Sequence, residues 1–396
     1  MTKNDDKRVP VLRFKGFNDD WAQRKLKDLT DVRDGTHSSP KYVEAGHPFI
    51  TSKNINNGSI DYRDIKYITD EDFDEINKRS KVDIHDILMG MIGTVGNLAL
   101  IDKKPNFAIK NIALIKDIGK IDYLFLYNFL QSNYVSKELI QKLDGGTQKF
   151  ISLNKVRDLN ISVASFQEQK AISKCLMRVN NLLILQQRKL QQLKLLKKAM
   201  LQDLFTDKNV PKLRFNGFDA NWIQCKLEKE ALLTMGQSPS GSTYSDQPST
   251  YILVQGNADL KNGWVKPRIW TTQITKLAKK GDIIITVRAP AGKVGRTNFD
   301  VVLGRGVASI QGNDFIFYLL SKMDMNKYWK KYAAGSTFES INSNDIKNTR
   351  VHVPNLPEQN RIANLFLRLD DLIRFQQNKL NNLQKNKQFL LQNMFI

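Results

Sequence analysis

The stretch VPVLRFKGFNDDWAQRKL, residues 9–26, returns as VPKLRFNGFDANWIQCKL at residues 210–227. Two copies of one opening must bury the same apolar positions, so the repeat limits the fold before any composition is considered. A second repeat closes each copy. FQEQKAISKCLMRVNNLLILQQRKLQQLKLLKKAMLQDLF at 166–205 is matched by LPEQNRIANLFLRLDDLIRFQQNKLNNLQKNKQFLLQNMF at 356–395. The openings are offset by 201 residues and the closings by 190, so the second copy is 11 residues shorter between its shared ends.

The middles share a skeleton rather than a sequence. Each has an Asp-led β-type run and a glycine loop: Asp86-Ile87-Leu88-Met89 before Gly93-Thr94-Val95-Gly96, and Asp282-Ile283-Ile284-Ile285 before Ala289-Pro290-Ala291-Gly292. An amphipathic helix follows in each, over 123–142 and 314–332, closed by Gly146-Thr147 or Gly335-Ser336. A last β-type run is ISVA (161–164) or TRVHVP (349–354). Strands, glycine turns and one helix predict an α/β (α+β) module of about 150 residues. The expected division is a first module at 1–165, a long helix at 166–206, a second module at 207–355 and a long helix at 356–396.

The two long segments contain a seven-residue apolar repeat. In the first it runs through Ile172, Leu176, Val179, Leu183, Leu190 and Leu193, in the second through Ile362, Phe366, Leu369, Ile373, Leu380 and Leu383. The polar interruptions also correspond, Gln186 to Gln376 and Lys197 to Lys387. Heptads sustained this long predict coiled-coil packing. A helix of about 38 residues is roughly 57 Å long at 1.5 Å per residue. The second module leaves one helix end and must enter the next, so an antiparallel pair is expected, with a pseudo-twofold axis and the chain termini close together.

The chain has 61 Lys+Arg against 40 Asp+Glu, a net charge of +21. Residues 1–205 hold 34 basic and 25 acidic side chains, residues 206–396 hold 27 and 15, so the excess is not one basic tail. A positive excess on both halves points to a polyanion, most simply nucleic acid. Cys175 and Cys225 are expected as small buried thiols in a reducing cytoplasm. No apolar run reaches the length of a membrane span, and the polar start MTKNDDKRVP does not resemble a signal peptide. Only four histidines occur, His37, His47, His85 and His352, read as surface or packed residues, with no Cys/His cluster at metal spacing. APAGKVG at 289–295 lacks the GxxxxGK[ST] of a phosphate loop, because Val294 follows Lys293. Asp102-Lys103-Lys104 has nuclease-like spacing but is ordinary in a lysine-rich chain. The residues leave two readings: a DNA-binding subunit, or a standalone nucleic-acid-acting enzyme whose site is not recognisable.

The arrangement resembles the DNA-specificity subunit of type I restriction–modification systems. The likeness rests on Trp21 to Leu26 and Trp222 to Leu227, the Asp-led runs at 86–96 and 282–292, Gly335-Ser336-Thr337, and Leu356-Pro357-Glu358-Gln359. The first copy departs from the pattern, with Ser165-Phe166-Gln167-Glu168-Gln169 where a proline is usual before Glu-Gln. The resemblance implies a non-catalytic subunit that reads a bipartite target in double-stranded DNA, one half-site per module. It implies two methyltransferase (modification) subunits and restriction/translocase subunits as partners. S-adenosylmethionine, Mg2+ and ATP are then expected on those partners, with no cofactor or metal in this chain and no membrane contact.

Base readout favours Arg, Lys, Asn and Gln. The candidates are Lys53, Asn54, Asn56, Lys149 and Lys155 in the first module, and Gln255, Asn257, Arg268, Arg288, Lys293 and Arg296 in the second. Trp21, Trp222, Phe14 and Phe215 are expected to pack each module onto the helix ends rather than to stack on bases.

Overall fold

The computed structural model describes residues 9–56, 58–333 and 340–396. Gly335-Ser336-Thr337, singled out in the sequence, lies outside the described residues. The chain divides into two compact units, residues 1–187 with 378–396, and residues 188–377. The long helices, Phe166–Leu204 and Leu356–Asn393, start where the repeat places them, but each gives one half to each unit. The expected boundaries at 165, 206 and 355 therefore mark elements and not packing units. The cause is burial: each module shares one core with parts of both helices.

In the first unit, Ile172 and Leu176 from the first long helix join Leu390, Leu391, Met394 and Phe395 from the second, around Trp21 and Phe125. In the second unit, Leu201, Leu204 and Phe205 join Ile362, Phe366 and Leu369 around Trp222 and Phe315. Phe205 lies 5.8 Å from Phe366, and Lys197 reaches Asp370 at 2.5 Å, so numbering falls on one helix as it rises on the other. The helix halves are antiparallel within each unit, as the connectivity requires. Leu12 N–H donates to the Asn393 carbonyl at 2.8 Å, which ties the start of the first module to the end of the chain.

Of the seam positions, Ile172, Leu176, Leu183, Leu190, Ile362, Phe366, Leu369 and Leu380 are buried; Val179, Leu193, Ile373 and Leu383 are half-buried. Lys387, the counterpart of Lys197, turns to the Gln131 side chain at 3.2 Å, and burial lowers its pKa.

Each module is bounded by an antiparallel strand pair: Ala22–Lys25 on Asn160–Val163, and Ile223–Lys226 on Arg350–Val353. Within the first module one sheet runs Asp31–Asp34, Ile112–Lys116, Ile87–Gly90, Leu98–Leu100. The second module repeats this order with Leu232–Met235, Val307–Gln311, Ile283–Thr286 and Val294–Arg296, then adds two short strands. A second sheet in each contains one parallel pair, Ala108 opposite Phe49 and Val302 opposite Leu253. The Asp-led runs are the third strands of the first sheets. Their aspartates cap the turn before the strand: Asp83 N–H donates to Asp86 at 2.7 Å, and Lys279 N–H to Asp282 at 3.0 Å. Burial pushes the Asp86 carboxyl up, against the opposing pull of Lys116 at 2.7 Å.

The single helix expected over 123–142 is two, Tyr123–Leu130 and Asn133–Lys142. Ser132 divides them, because its hydroxyl accepts the Val135 N–H and caps the second. The helix expected over 314–332 stops at Met325, where Asn326 caps it and Lys327 takes φ +56, and a short helix Lys330–Ala333 follows. Cys175 and Cys225 are free and half-buried rather than buried. Burial, helped by Glu230, pushes the Cys225 thiol up to about 11.

Candidate nucleic-acid interface

The shared ends form the same brace in both modules. Glu168, 1% exposed, accepts from Arg13 at 2.7 and 2.9 Å and from the Trp21 indole at 3.1 Å. Glu358 accepts from Arg214 at 2.8 and 2.7 Å and from the Trp222 indole at 3.4 Å. A bidentate Arg–carboxylate pair fixes direction as well as distance, so the opening segment meets the helix start in one geometry. The next residue locks the helix to its module: the Gln169 side chain accepts from Asp122 N–H at 2.9 Å, and Gln359 accepts from Asn313 at 2.7 Å. The proline absent before Glu168 has little effect, because Ser165 caps the Glu168 N–H as Asn355 caps that of Glu358. Trp21 and Trp222, each 2% exposed, are packing residues as expected. Phe14 is 37% exposed, and Phe215 lies under the Arg361 guanidinium at 5.3 Å.

Away from the brace, the second module opens a cleft of about 200 Å³ lined by Ser238, Gln255, Asn257, Arg288 and Arg305 with backbone of Gly256 and Gly306. Arg288 follows the strand Ile283–Thr286, and Arg305 occupies the turn between Val301–Leu303 and Val307–Gln311. Val287 N–H donates to the Gly306 carbonyl at 2.9 Å, so the backbones carrying the two arginines are joined. Gly306 lies so close to Gln255 that a Cβ would stand 2.1 Å from its carbonyl oxygen. Asp259, 2% exposed, holds the opposite wall by accepting the Gln255 N–H at 2.7 Å and the Gly256 N–H at 3.2 Å. Neither Arg288 nor Arg305 has an acidic partner among the described residues; both are exposed.

The corresponding place in the first module is found through two glycines. Gly35 N–H donates to the Ile112 carbonyl at 3.0 Å, and Gly236 N–H to the Val307 carbonyl at 3.0 Å. A Cβ would fall 2.4 Å from the Ile109 oxygen at Gly35, and 2.1 Å from the Gly304 oxygen at Gly236. Two residues after Gly35 stands His37, where the second module has Ser238. His37 bridges Asp34 and Asn111, both at 2.8 Å, and Arg79 pairs with the other oxygen of Asp34. Asn111 takes φ +54 in the turn that holds Arg305 and Gly306 in the second module.

The candidate residues divide accordingly. Gln255, Asn257 and Arg288 come together in the cleft, and their side chains have no hydrogen-bond partner among the described residues. Arg268 is taken by Asp259 at 2.9 Å and Lys293 by Asp324 at 3.0 Å. Arg296 pairs with Asp314 and stacks 4.5 Å over Phe317 with its side chain 15% exposed, so it braces a strand against the helix Asp314–Met325. In the first module Asn54 is a correction. It is 4% exposed and its amide is spent on Thr51, Asp61 and Asp64, so it shapes the loop from inside. Lys53 pairs with Asp64 at 2.9 Å, Lys155 with Asp144 at 2.5 Å, and Lys149 bonds the Gly145 carbonyl at 2.9 Å. Asn56 is exposed on a two-stranded hairpin with Ser59–Ile60.

Sequence reasoning missed Arg305, Ser238, His37, Asp34, Arg79 and Asn111. Gly304-Arg305-Gly306, an arginine between two glycines, was the available signal for the first of them. No group of three His, Cys, Asp or Glu that could hold a metal occurs among the described residues, and no helix there is long and apolar enough to cross a membrane.

A model of the type I restriction modification DNA specificity domain matches residues 18–195 and 234–385. The chain is 29% identical over 400 residues to the putative type I restriction enzyme MjaX specificity subunit of Methanocaldococcus jannaschii, covering 94% of this chain and 92% of that protein. It is 25% identical over 188 residues to the type I restriction enzyme EcoBI specificity subunit of Escherichia coli, covering 41% and 40%. Among solved structures, the fold matches a chain described under complex assembly and conformational transition of the type I R-M system, with TM-score 0.62, 21% identity and 96% and 98% coverage. It also matches the type I restriction-modification S subunit from M. genitalium, with TM-score 0.61, 15% identity and 98% and 99% coverage.

Proposed function

Because this chain belongs to the type I restriction-modification DNA specificity family, and so is a DNA-recognition component rather than a catalyst, we propose that its two modules read the two halves of a bipartite site. The observation that supports this is the pair of corresponding glycine-framed turns, which bring His37 and Asn111 together with Asp34 in one module and Ser238 and Arg305 together with Arg288 in the other. One scaffold with two different sets of polar side chains suits two different base sequences. The standalone-enzyme reading has no support from the comparisons.

In this reading two methyltransferase subunits and the restriction/translocase subunits assemble on the chain in the cytoplasm. S-adenosylmethionine, Mg2+ and ATP belong to those subunits. The long helices set the unread gap between half-sites. Of the candidate residues, Gln255, Asn257 and Arg288 contact bases; Lys53, Asn56, Lys149, Lys155, Arg268 and Lys293 contact phosphates or frame the loops.

The experiment combines the purified chain with the modification subunits encoded beside it and maps methylated adenines by sequencing. The expected result is one bipartite motif with a fixed gap, and no methyl transfer by the chain alone. Methylation without a bipartite motif would sink the reading. Deleting 186–192 and 376–382 together removes one heptad from each helix, about 10 Å at 1.5 Å per residue. The gap is then expected to shorten by about 3 base pairs; a folded, active variant with the original gap would refute the helices as its determinant.

A further inference from the structure

We infer that the cleft of the second module is a guanine-reading site, in which Arg288 and Arg305 each engage the O6/N7 edge of one guanine. The half-site selected by that module would then contain two guanines. This rests on the DNA-reading function proposed above and gives it a base identity.

The first support is a pair of uncompensated charges gathered in one cleft. In the same module Arg268, Arg296, Lys293 and Lys279 all have carboxylate partners, respectively Asp259, Asp314, Asp324 and Asp300. Arg288 and Arg305 line a common cleft and have none among the described residues. Two like charges brought together without a counter-ion are unfavourable in the free protein, so their placement fits an anionic or acceptor-rich ligand.

The second support is rigidity. The backbones bearing the two side chains are tied by the 2.9 Å bond from Val287 N–H to the Gly306 carbonyl. Arg288 also pairs across an isolated bridge with Ser340, and Arg305 N–H donates to the Ser238 hydroxyl at 3.1 Å. Readers of base edges must be held in register with the stack, whereas charges that only neutralise phosphates need not be.

The third is the chemistry of the edges. A guanidinium presents two parallel donors, and guanine alone presents two acceptors, N7 and O6, side by side in the major groove. Adenine would set its N6 amino group against one of those donors. A concave cleft of about 200 Å³ admits the edge of a base, and the Gln255 and Asn257 amides on its wall supply the mixed donors and acceptors that a neighbouring base requires. Among the described residues the corresponding turn of the first module presents no such pair of arginines: there Arg79 is engaged by Asp34, and Asn111 by His37.

The test uses the assembled chain with its modification subunits, a randomised plasmid library and sequencing of methylated adenines. The wild-type motif should show guanine at two positions of the second half-site. Arg288→Ala and Arg305→Ala should each make one of them degenerate, with a loss of preference of roughly 5- to 150-fold. Arg305→Gln should move the preference at its position from guanine towards adenine. The first half-site and the gap should stay unchanged and serve as the internal control. A wild-type half-site with fewer than two guanines would overturn the inference. So would an alanine variant that keeps the full motif and only loses affinity evenly, with a salt dependence shallower by about one charge, the signature of a phosphate contact. Failure of all three variants to assemble would make the arginines part of the fold and overturn it as well. A wild-type complex that methylates no bipartite motif would instead remove the underlying function.

Discussion

Glu168 holds Arg13 and Trp21 as Glu358 holds Arg214 and Trp222, with all four Arg–Glu contacts between 2.7 and 2.9 Å. At the glycine-framed turns the same two modules present a His–Asp–Asn–Arg cluster and a pair of arginines with no acidic partner among the described residues. The difference is one of constraint. Arg13, Trp21 and Glu168 must satisfy one another in a buried space, where removing any partner strands a polar or charged group. His37 and Arg305 face outward from turns whose shape is already set by backbone bonds and glycine, so their identity is free to follow the ligand.

If that account is correct, the largest effects come from the shared brace and are the same in both modules. Trp21→Ala and Trp222→Ala are each expected to destabilise the protein by about 3–5 kcal/mol, the usual cost of truncating a buried aromatic. Denaturant unfolding measures this directly. A loss in one module with none in the other would break the equivalence drawn above.

An intermediate effect is expected at the first turn. His37→Ala removes an exposed ring that bridges Asp34 and Asn111. Fold stability should change little, while discrimination at the first half-site falls by about 1–3 kcal/mol at one position. Mapping methylated adenines would show a degenerate base in that half-site and an intact second half-site. An unchanged first half-site would separate the two turns in function despite their common frame.

The parts of the molecule under constraint were legible in the sequence. The heptad positions, the repeated openings and the Asp-led strands follow from periodicity and from matched spacing, and all twelve seam residues are buried or half-buried. The single helices over 123–142 and 314–332 were not, since Ser132 and Asn326 act as caps that apolar periodicity does not reveal. The lining of the second module's cleft was legible in part. Residue type selected Gln255, Asn257 and Arg288, but it equally selected Arg296, which lies over Phe317, and Asn54, which is buried in its own loop. Whether an arginine meets an aspartate or the solvent depends on contacts distant in sequence, such as Asp314 for Arg296, and no local pattern records them.

The smallest expected effect sharpens the boundary of the second cleft. Lys293 shares a hairpin with Arg288 but is paired with Asp324 at 3.0 Å on a partly exposed surface. Such a pair contributes about 0–1 kcal/mol, so Asp324→Asn should leave the unfolding transition nearly in place. The substitution frees the Lys293 ammonium, and a freed lysine next to DNA adds at most one phosphate contact. Non-specific affinity is then expected to rise slightly, with a salt dependence steeper by about one charge or less, while the methylated motif stays the same. Titrations of labelled duplex at several salt concentrations, run beside motif mapping, measure both quantities. A changed second half-site in this variant would show that Lys293 reads bases once released, and would move the edge of the reading surface outward from Arg288 along the hairpin.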